Sequence, residues 1–87
     1  ILICGTGLGM SIAANKVEGA YAALLADYYS AQRARLSNDA NIACLGAFTT
    51  GKKEREVMIT AFLTNEFVAG CSSQPKVDAY VTYDHSR

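Results

Sequence analysis

The chain has 87 residues, eight basic and eight acidic side chains, and a formal net charge of zero. That length limits it to one small domain, and the balanced charge offers neither a basic surface for nucleic acid nor a charged tail. Apolar residues make up 51% of the chain, yet no run of them approaches the roughly 20 residues of a membrane span.

The opening Ile1-Leu2-Ile3-Cys4 has neither the charged start nor the length of a signal peptide. It reads as a short strand buried on both faces, because its apolar residues do not alternate with polar ones. Gly5-Thr6-Gly7-Leu8-Gly9 follows as a turn, and Met10 to about Val17 as a short helix stopped at Glu18-Gly19. Ala20 to Leu25 reads as a second buried strand. Asp27 suits the N-cap of a helix from Tyr28 to Leu36, and Ser37-Asn38-Asp39-Ala40-Asn41 carries loop chemistry.

Ile42 to Leu45 reads as a third two-sided strand. The clearest helix runs from Lys52 to about Phe67, with Met58 and Phe62, Ile59 and Leu63, and Leu63 and Phe67 as i,i+4 pairs on its apolar stripe. Ala69 to Pro75 is a break, and Lys76 to about Tyr83 fits either a last helix or an extended tail. Strand–helix repeated three times predicts an α/β fold with a parallel sheet and right-handed crossovers.

If the strands lay side by side in chain order, their linking helices would share one face and leave the other bare. Strands that read as buried on both faces conflict with that. The chain also opens inside a strand, without an initiating Met. Residues 1–87 are therefore expected to be the C-terminal part of a single domain lacking its N-terminal βα units, or to meet a partner subunit, or both.

The corner around Cys4 carries the chemistry. A strand–glycine turn–helix leaves free N–H groups and the positive end of a helix dipole aimed at one spot, where an anion or a developing oxyanion is favoured. Cys4 stands at the strand's carboxyl end, where open α/β sheets place ligands. A thiol in that setting has a lowered pKa and suits a base or nucleophile; the competing reading is a small hydrophobe at a strand end. Cys44, in mid-strand, reads as core, and Cys71 has no basic neighbour.

Three irregularly spaced cysteines make no disulfide framework and favour a reducing cytoplasm. The only histidine, His85, falls in what reads as a solvated tail, so no metal-ligand spacing is present. A dinucleotide fingerprint fails at its third glycine, which is Met10, and Asp27 is explained as a cap. No GK[ST] follows the glycines, which excludes a Walker loop. Three glycines within five residues nonetheless suggest that backbone approaches a ligand closely.

Ile1-Leu2-Ile3-Cys4-Gly5-Thr6-Gly7-Leu8-Gly9-Met10-Ser11-Ile12-Ala13-Ala14-Asn15-Lys16, then Tyr29-Ser30-Ala31, Asn38-Asp39-Ala40-Asn41 and Leu45-Gly46-Ala47, resemble the ribose-5-phosphate isomerase B and galactose-6-phosphate isomerase family in order and spacing. The resemblance covers about residues 1 to 70, and the family is longer at its N-terminus. It implies a Rossmann-like three-layer α/β/α sandwich, of which this chain supplies about three strands. It also implies a homodimer or higher oligomer with active sites at the subunit interface, and metal-free, cofactor-free interconversion of an aldose phosphate and a ketose phosphate through a cis-enediolate.

In that scheme Cys4 is the base and Thr6 polarises the reacting end. The backbone of Gly5, Gly7 and Gly9 stabilises the enediolate, and Ser11 and Asn38 complete the substrate-binding set. The sugar the resemblance implies is ribose 5-phosphate; a galactose-6-phosphate-type subunit and a non-catalytic sugar-phosphate-binding relative are the alternatives. The chain departs from the family at Ser37, where a ring-opening histidine is common, and at Phe48, where an arginine binds phosphate. Cys71 to Lys76 replaces a stretch rich in phosphate-binding arginines, leaving Lys76, Arg35 or a partner's groups for that task.

Overall fold

In the computed structural model, which describes residues 1–87, three short parallel strands alternate with helices. They are β1 (Leu2–Cys4), α1 (Leu8–Ala14), β2 (Ala22–Leu24), α2 (Tyr28–Leu36), β3 (Ile42–Gly46), α3 (Lys52–Thr64) and α4 (Gln74–Ser86). The strand order is β1-β3-β2. Leu2, Ile3 and Cys4 pair with Cys44, Leu45 and Gly46, and Ala22, Ala23 and Leu24 with Ile42, Ala43 and Cys44.

This order differs from the chain-order sheet and removes its difficulty. The chain passes from β1 over to β2 and then steps back to β3 between them. Right-handed crossovers in opposite directions put their helices on opposite faces. Ala43 and Leu45 join Ala31 and Ala34 of α2 and Met58, Ala61 and Phe62 of α3 in the main core. Cys44, the alternate residue, points the other way, toward the side where α1 lies along all three strands. Full burial of side chains such as Met58 and Phe62 contributes about 1.5–3 kcal/mol each.

Only β3 is buried on both faces. The strands β1 and β2 are edges, so the two-sided burial expected of them is not met: Ile1 is 54% exposed and Ile3 49%. Ile3 pairs with Leu45 and so shares the face of α2 and α3, but those helices cover β2 and β3 and leave the β1 end of that face open.

Local chemistry explains the helix limits. Asp27 caps α2 through a capping box: its carboxylate accepts from the Ser30 N–H at 2.7 Å, and Ser30 Oγ accepts from the Asp27 N–H at 3.2 Å. The α3 helix ends at Thr64 rather than Phe67, because Asn65 is extended while its side-chain amide donates to the Ala61 carbonyl at 2.7 Å. Its buried stripe is therefore Met58, Ala61 and Phe62, with Ile59 at the flank. Leu63 is 66% exposed, and its pairing with Phe67 on the stripe is not made. Residues 74–86 resolve the open reading as a helix, so His85 sits on an exposed helical turn rather than in a frayed tail.

Candidate active site

The glycine turn is shaped by steric need at two of its three glycines and at their neighbour across the sheet. Gly7 has φ +78°, and a Cβ there would stand 2.6 Å from Leu24 Cδ1 and 2.9 Å from the Leu45 carbonyl carbon. Gly46, opposite Cys4, leaves no more room: a Cβ would run into Thr49 Oγ1 and meet the Thr6 carbonyl at 2.7 Å. A Cβ on Gly5 would touch the Phe48 ring at 3.1 Å, whereas Gly9 faces open space. The turn is then tied to the loop after β3, where the Ala47 N–H donates to the Cys4 carbonyl and the Phe48 N–H to the Gly5 carbonyl, both at 2.8 Å.

Asn15 fixes the far end of α1. Its side-chain amide donates to the Ser11 and Ala22 carbonyls, each at 3.0 Å, and its side-chain oxygen accepts the Ala22 N–H at 2.8 Å. The first turn of α1 is thereby held over the carboxyl end of β1 and β3, and its N–H groups have no partners within the helix.

Those donors converge on sulfur. The Gly7 N–H donates to Cys4 Sγ at 3.1 Å. The N–H of Met10 does most to hold the Cys4 thiol below its ordinary 9.0; partial burial opposes it, and the N–H groups of Gly7, Thr6 and Gly9 add to the lowering. Cys4 is half-buried and unpaired, open to a ligand yet flanked by donors. Thr6 is exposed at the same corner, its Oγ1 accepting the Leu8 N–H at 3.3 Å. Cys44, by contrast, is fully buried, and burial pushes its thiol up.

The structure thus brings together Cys4, Gly5, Thr6, Gly7 and Gly9. Ser11 lies next along α1, half-buried, its N–H bonded to the Gly7 carbonyl at 3.1 Å. Asn38 is elsewhere. It precedes β3 at the amino end of the sheet, while Cys4 pairs with Gly46 at the carboxyl end. The length of β3 alone separates these ends by about 13 Å.

Asn38 instead lines the largest cavity, of about 510 Å3, between β2, α2 and α4, with Arg33, Tyr80, Asp84 and Arg87 also in its wall. The helix α4 is latched there. Asp84, only 5% exposed, accepts from the Gly19 N–H at 2.9 Å and the Tyr21 hydroxyl at 2.8 Å. Those donors, the Gly19 N–H first, hold its carboxyl below 3.8. Tyr80 stacks edge-on against Tyr21 at 4.8 Å, and its hydroxyl donates to the Asn38 carbonyl. The acidic residue at the centre of this latch argues for a structural role of the cavity wall, and the thiol chemistry lies outside it.

Two contributors at the corner were missed from sequence. From the sequence Met10 reads as the start of a helix and as a failed fingerprint glycine, although its backbone donor matters most to Cys4. Gly46 was read only as part of a motif, although it stands opposite Cys4 and admits no side chain. Arg35, one of the basic residues considered for phosphate, is engaged by the fold: it donates to the Ala40 and Asn65 carbonyls and lies 5.6 Å from the Phe62 ring centre.

The family model for ribose/galactose isomerases matches residues 1–80. The chain belongs to the ribose/galactose isomerase family. It is 51% identical over 85 residues to a D-erythrulose-4-phosphate isomerase of Pectobacterium atrosepticum, covering 98% of this chain and 55% of that protein. It is 50% identical over 78 residues to a ribose-5-P isomerase B of Listeria innocua, covering 90% of this chain and 52% of that protein. The structure of the type B ribose 5-phosphate isomerase from Trypanosoma cruzi superposes with a TM-score of 0.93 at 42% identity, over 99% of this chain and 57% of that one.

The chain spans about half the length of the curated relatives it matches. Its parallel sheet with helices on both faces is the Rossmann-like arrangement expected for a ribose/galactose isomerase, and no helix is long and apolar enough to cross a membrane.

Proposed function

We propose that this chain carries the proton-transfer half of an aldose–ketose isomerase acting on a small sugar phosphate. The observation that supports it most is Cys4: a half-buried thiol with its pKa lowered by the converging N–H groups of Met10, Gly7, Thr6 and Gly9. The thiolate removes the proton from C2 of the open-chain aldose. The C2–H electron pair becomes the C1=C2 double bond, and negative charge moves to O1. The turn's N–H groups stabilise that oxyanion in a preorganised way. The Cys4 thiol then returns the proton to C1 while the O2 hydroxyl proton passes to O1, which gives the ketose.

The relatives named for D-erythrulose 4-phosphate and for ribose 5-phosphate make four- and five-carbon sugar phosphates the substrates to assay. In the full-length protein, Cys4→Ala should lower turnover by about 10²–10⁴-fold, the usual worth of a general base. It should also abolish exchange of the sugar's C2 proton with solvent, followed by NMR. Undiminished exchange sinks the assignment. Binding without exchange in the unsubstituted protein favours a non-catalytic sugar-phosphate module.

The placement of Asn38 favours a second part of the reading: a homodimer in which Asn38 of one copy completes the Cys4 corner of the other. One chain holds them at opposite ends of the sheet, too far apart for one small sugar. Cys4→Ala and Asn38→Ala proteins, each impaired alone, should recover activity when mixed and reassembled, because one site per mixed dimer is intact. No recovery, with mixed dimers verified by mass, removes the shared site.

The domain reading carries over as part of the same proposal: in a longer polypeptide, further βα units cover Ile1 and Ile3 at the β1 edge. The three unpaired cysteines agree with a reducing cytoplasm.

A further inference from the structure

Phe48 is the most exposed large apolar side chain of the molecule, at 89%. An apolar ring in water is unremarkable on a mobile loop, but this one is fixed beside the reactive thiol. Its N–H donates to the Gly5 carbonyl at 2.8 Å, and the preceding Ala47 N–H donates to the carbonyl of Cys4 itself. The ring edge lies against Gly5, close enough that a Cβ there would touch it at 3.1 Å.

The rest of the loop is pinned as well. The Thr49 and Thr50 N–H groups both donate to the Gly46 carbonyl. Arg55 donates from Nη1 to the Ala47 carbonyl at 3.4 Å and to Thr50 Oγ1 at 3.3 Å. A substrate whose reacting carbons sit over Cys4 and the turn's N–H groups has the Phe48 ring as one wall. That wall is apolar and carries no donor, so it cannot hold a phosphate. It can pack against the C–H bonds of a carbon chain and limit how far that chain extends.

The geometry points to Phe48 as a specificity-determining residue that packs on the sugar's carbon chain and selects the shorter sugar phosphates. This rests on the isomerase reading above and deepens it by setting the substrate's size class: four carbons in preference to five. Because Phe48 is almost wholly exposed, shortening it leaves the core intact, which far-UV circular dichroism will confirm for each variant.

The test compares kcat/KM for a four-carbon and a five-carbon aldose 4- or 5-phosphate in the full-length protein, unsubstituted, with Phe48→Ala and with Phe48→Leu. The unsubstituted protein should favour the four-carbon sugar. Phe48→Ala should reduce that preference at least tenfold, and Phe48→Leu by less. A ratio that stays within twofold in Phe48→Ala, with turnover retained, overturns the role of Phe48 and leaves the isomerase reading standing. So does an initial preference for the five-carbon sugar. Absence of turnover of either sugar by the unsubstituted protein overturns both.

Discussion

At the carboxyl end of the sheet, the backbone donors around Cys4 meet no carbonyl of their own helix, and they lean on a sulfur that a ligand can reach. At the amino end, the donors around Asp84 are all engaged: Gly19 N–H and the Tyr21 hydroxyl on one carboxylate oxygen, and Arg87 on the other at 3.1 Å. Both ends gather donors around one acidic atom and lower its pKa. The first acid is half-open and next to free space; the second is buried and joins α4 to the start of β2. The contrast teaches that a lowered pKa marks function only where the anion it creates can touch something else.

The comparison breaks most severely at the glycines behind Cys4. Gly46→Ala forces a Cβ into the Thr6 backbone, which cannot move without dragging the turn. Overpacking of this kind costs about 1–3 kcal/mol. Gly7→Ala adds a left-handed backbone cost of about 1–2 kcal/mol to its own clash with Leu45. In a domain whose whole stability is on the order of 5–15 kcal/mol, either change should be plain in a urea melt, together with a fall in kcat. Melting midpoints equal to the parent's would refute the close packing described for the turn.

The amino end is tested by Asp84→Asn, which keeps the shape and weakens the acceptor. Breaking a buried, charge-assisted arrangement in a chain of this size should lower Tm by roughly 5 °C or more, and amide hydrogen exchange should quicken first in α4. The sign with pH follows from the lowered carboxyl. The native carboxyl titrates below 3.8, so its contribution is fully present above the unfolded value and is lost as pH falls through the folded one. The Tm gap between parent and Asp84→Asn should therefore close in strong acid, and a gap constant with pH would mean that Asp84 is not charged in the latch.

The two ends were unequally legible in the sequence, for a physical reason. The Cys4 corner is built from consecutive residues, so strand, glycine turn and helix start all follow from local chemistry. The Asp27 cap, with its partner three residues on, is local in the same way. Strand order is not: β1-β3-β2 depends on Gly46 fitting behind Thr6, a contact between residues forty apart that leaves propensities unchanged. The α4 helix is ambiguous in sequence because its buried positions are Val77 and Asp84, and an acid in a core position hides the apolar stripe. The separation of Asn38 from Cys4 was hidden for the same cause, since motif order along the chain carries no information about which end of the sheet each motif meets.

The pH profile sharpens the carboxyl end. The thiolate is the working form, and its folded pKa is below 9.0. The rate should accordingly fall on the acid side, with kcat/KM halved at a pH below 9.0, because protonation of Cys4 removes the base. Met10→Pro would remove the donor that lowers the thiol most, but it also disturbs the helix start. The cleaner measurement is thiolate absorbance near 240 nm on the parent, with Cys4→Ser as the blank. A Cys4 midpoint at or above 9.0 would mean that the turn's N–H groups do not act on the sulfur as described.

The smallest effect on stability belongs to Gly9→Ala, and it separates catalysis from folding. Gly9 has no positive φ and a Cβ there meets nothing within 4 Å. It lies in the first turn of α1, where alanine is a better helix former than glycine by up to about 1 kcal/mol. Stability should therefore hold or rise slightly. If Gly9 is glycine because a substrate oxygen passes close to its N–H, the added methyl stands in that path, and KM should rise while Tm does not fall. Gly7→Ala lowers both properties together; Gly9→Ala should lower only one. A Gly9→Ala protein with unchanged KM would show that no ligand approaches this face of the turn, and would confine the oxyanion donors to Thr6, Gly7 and Met10.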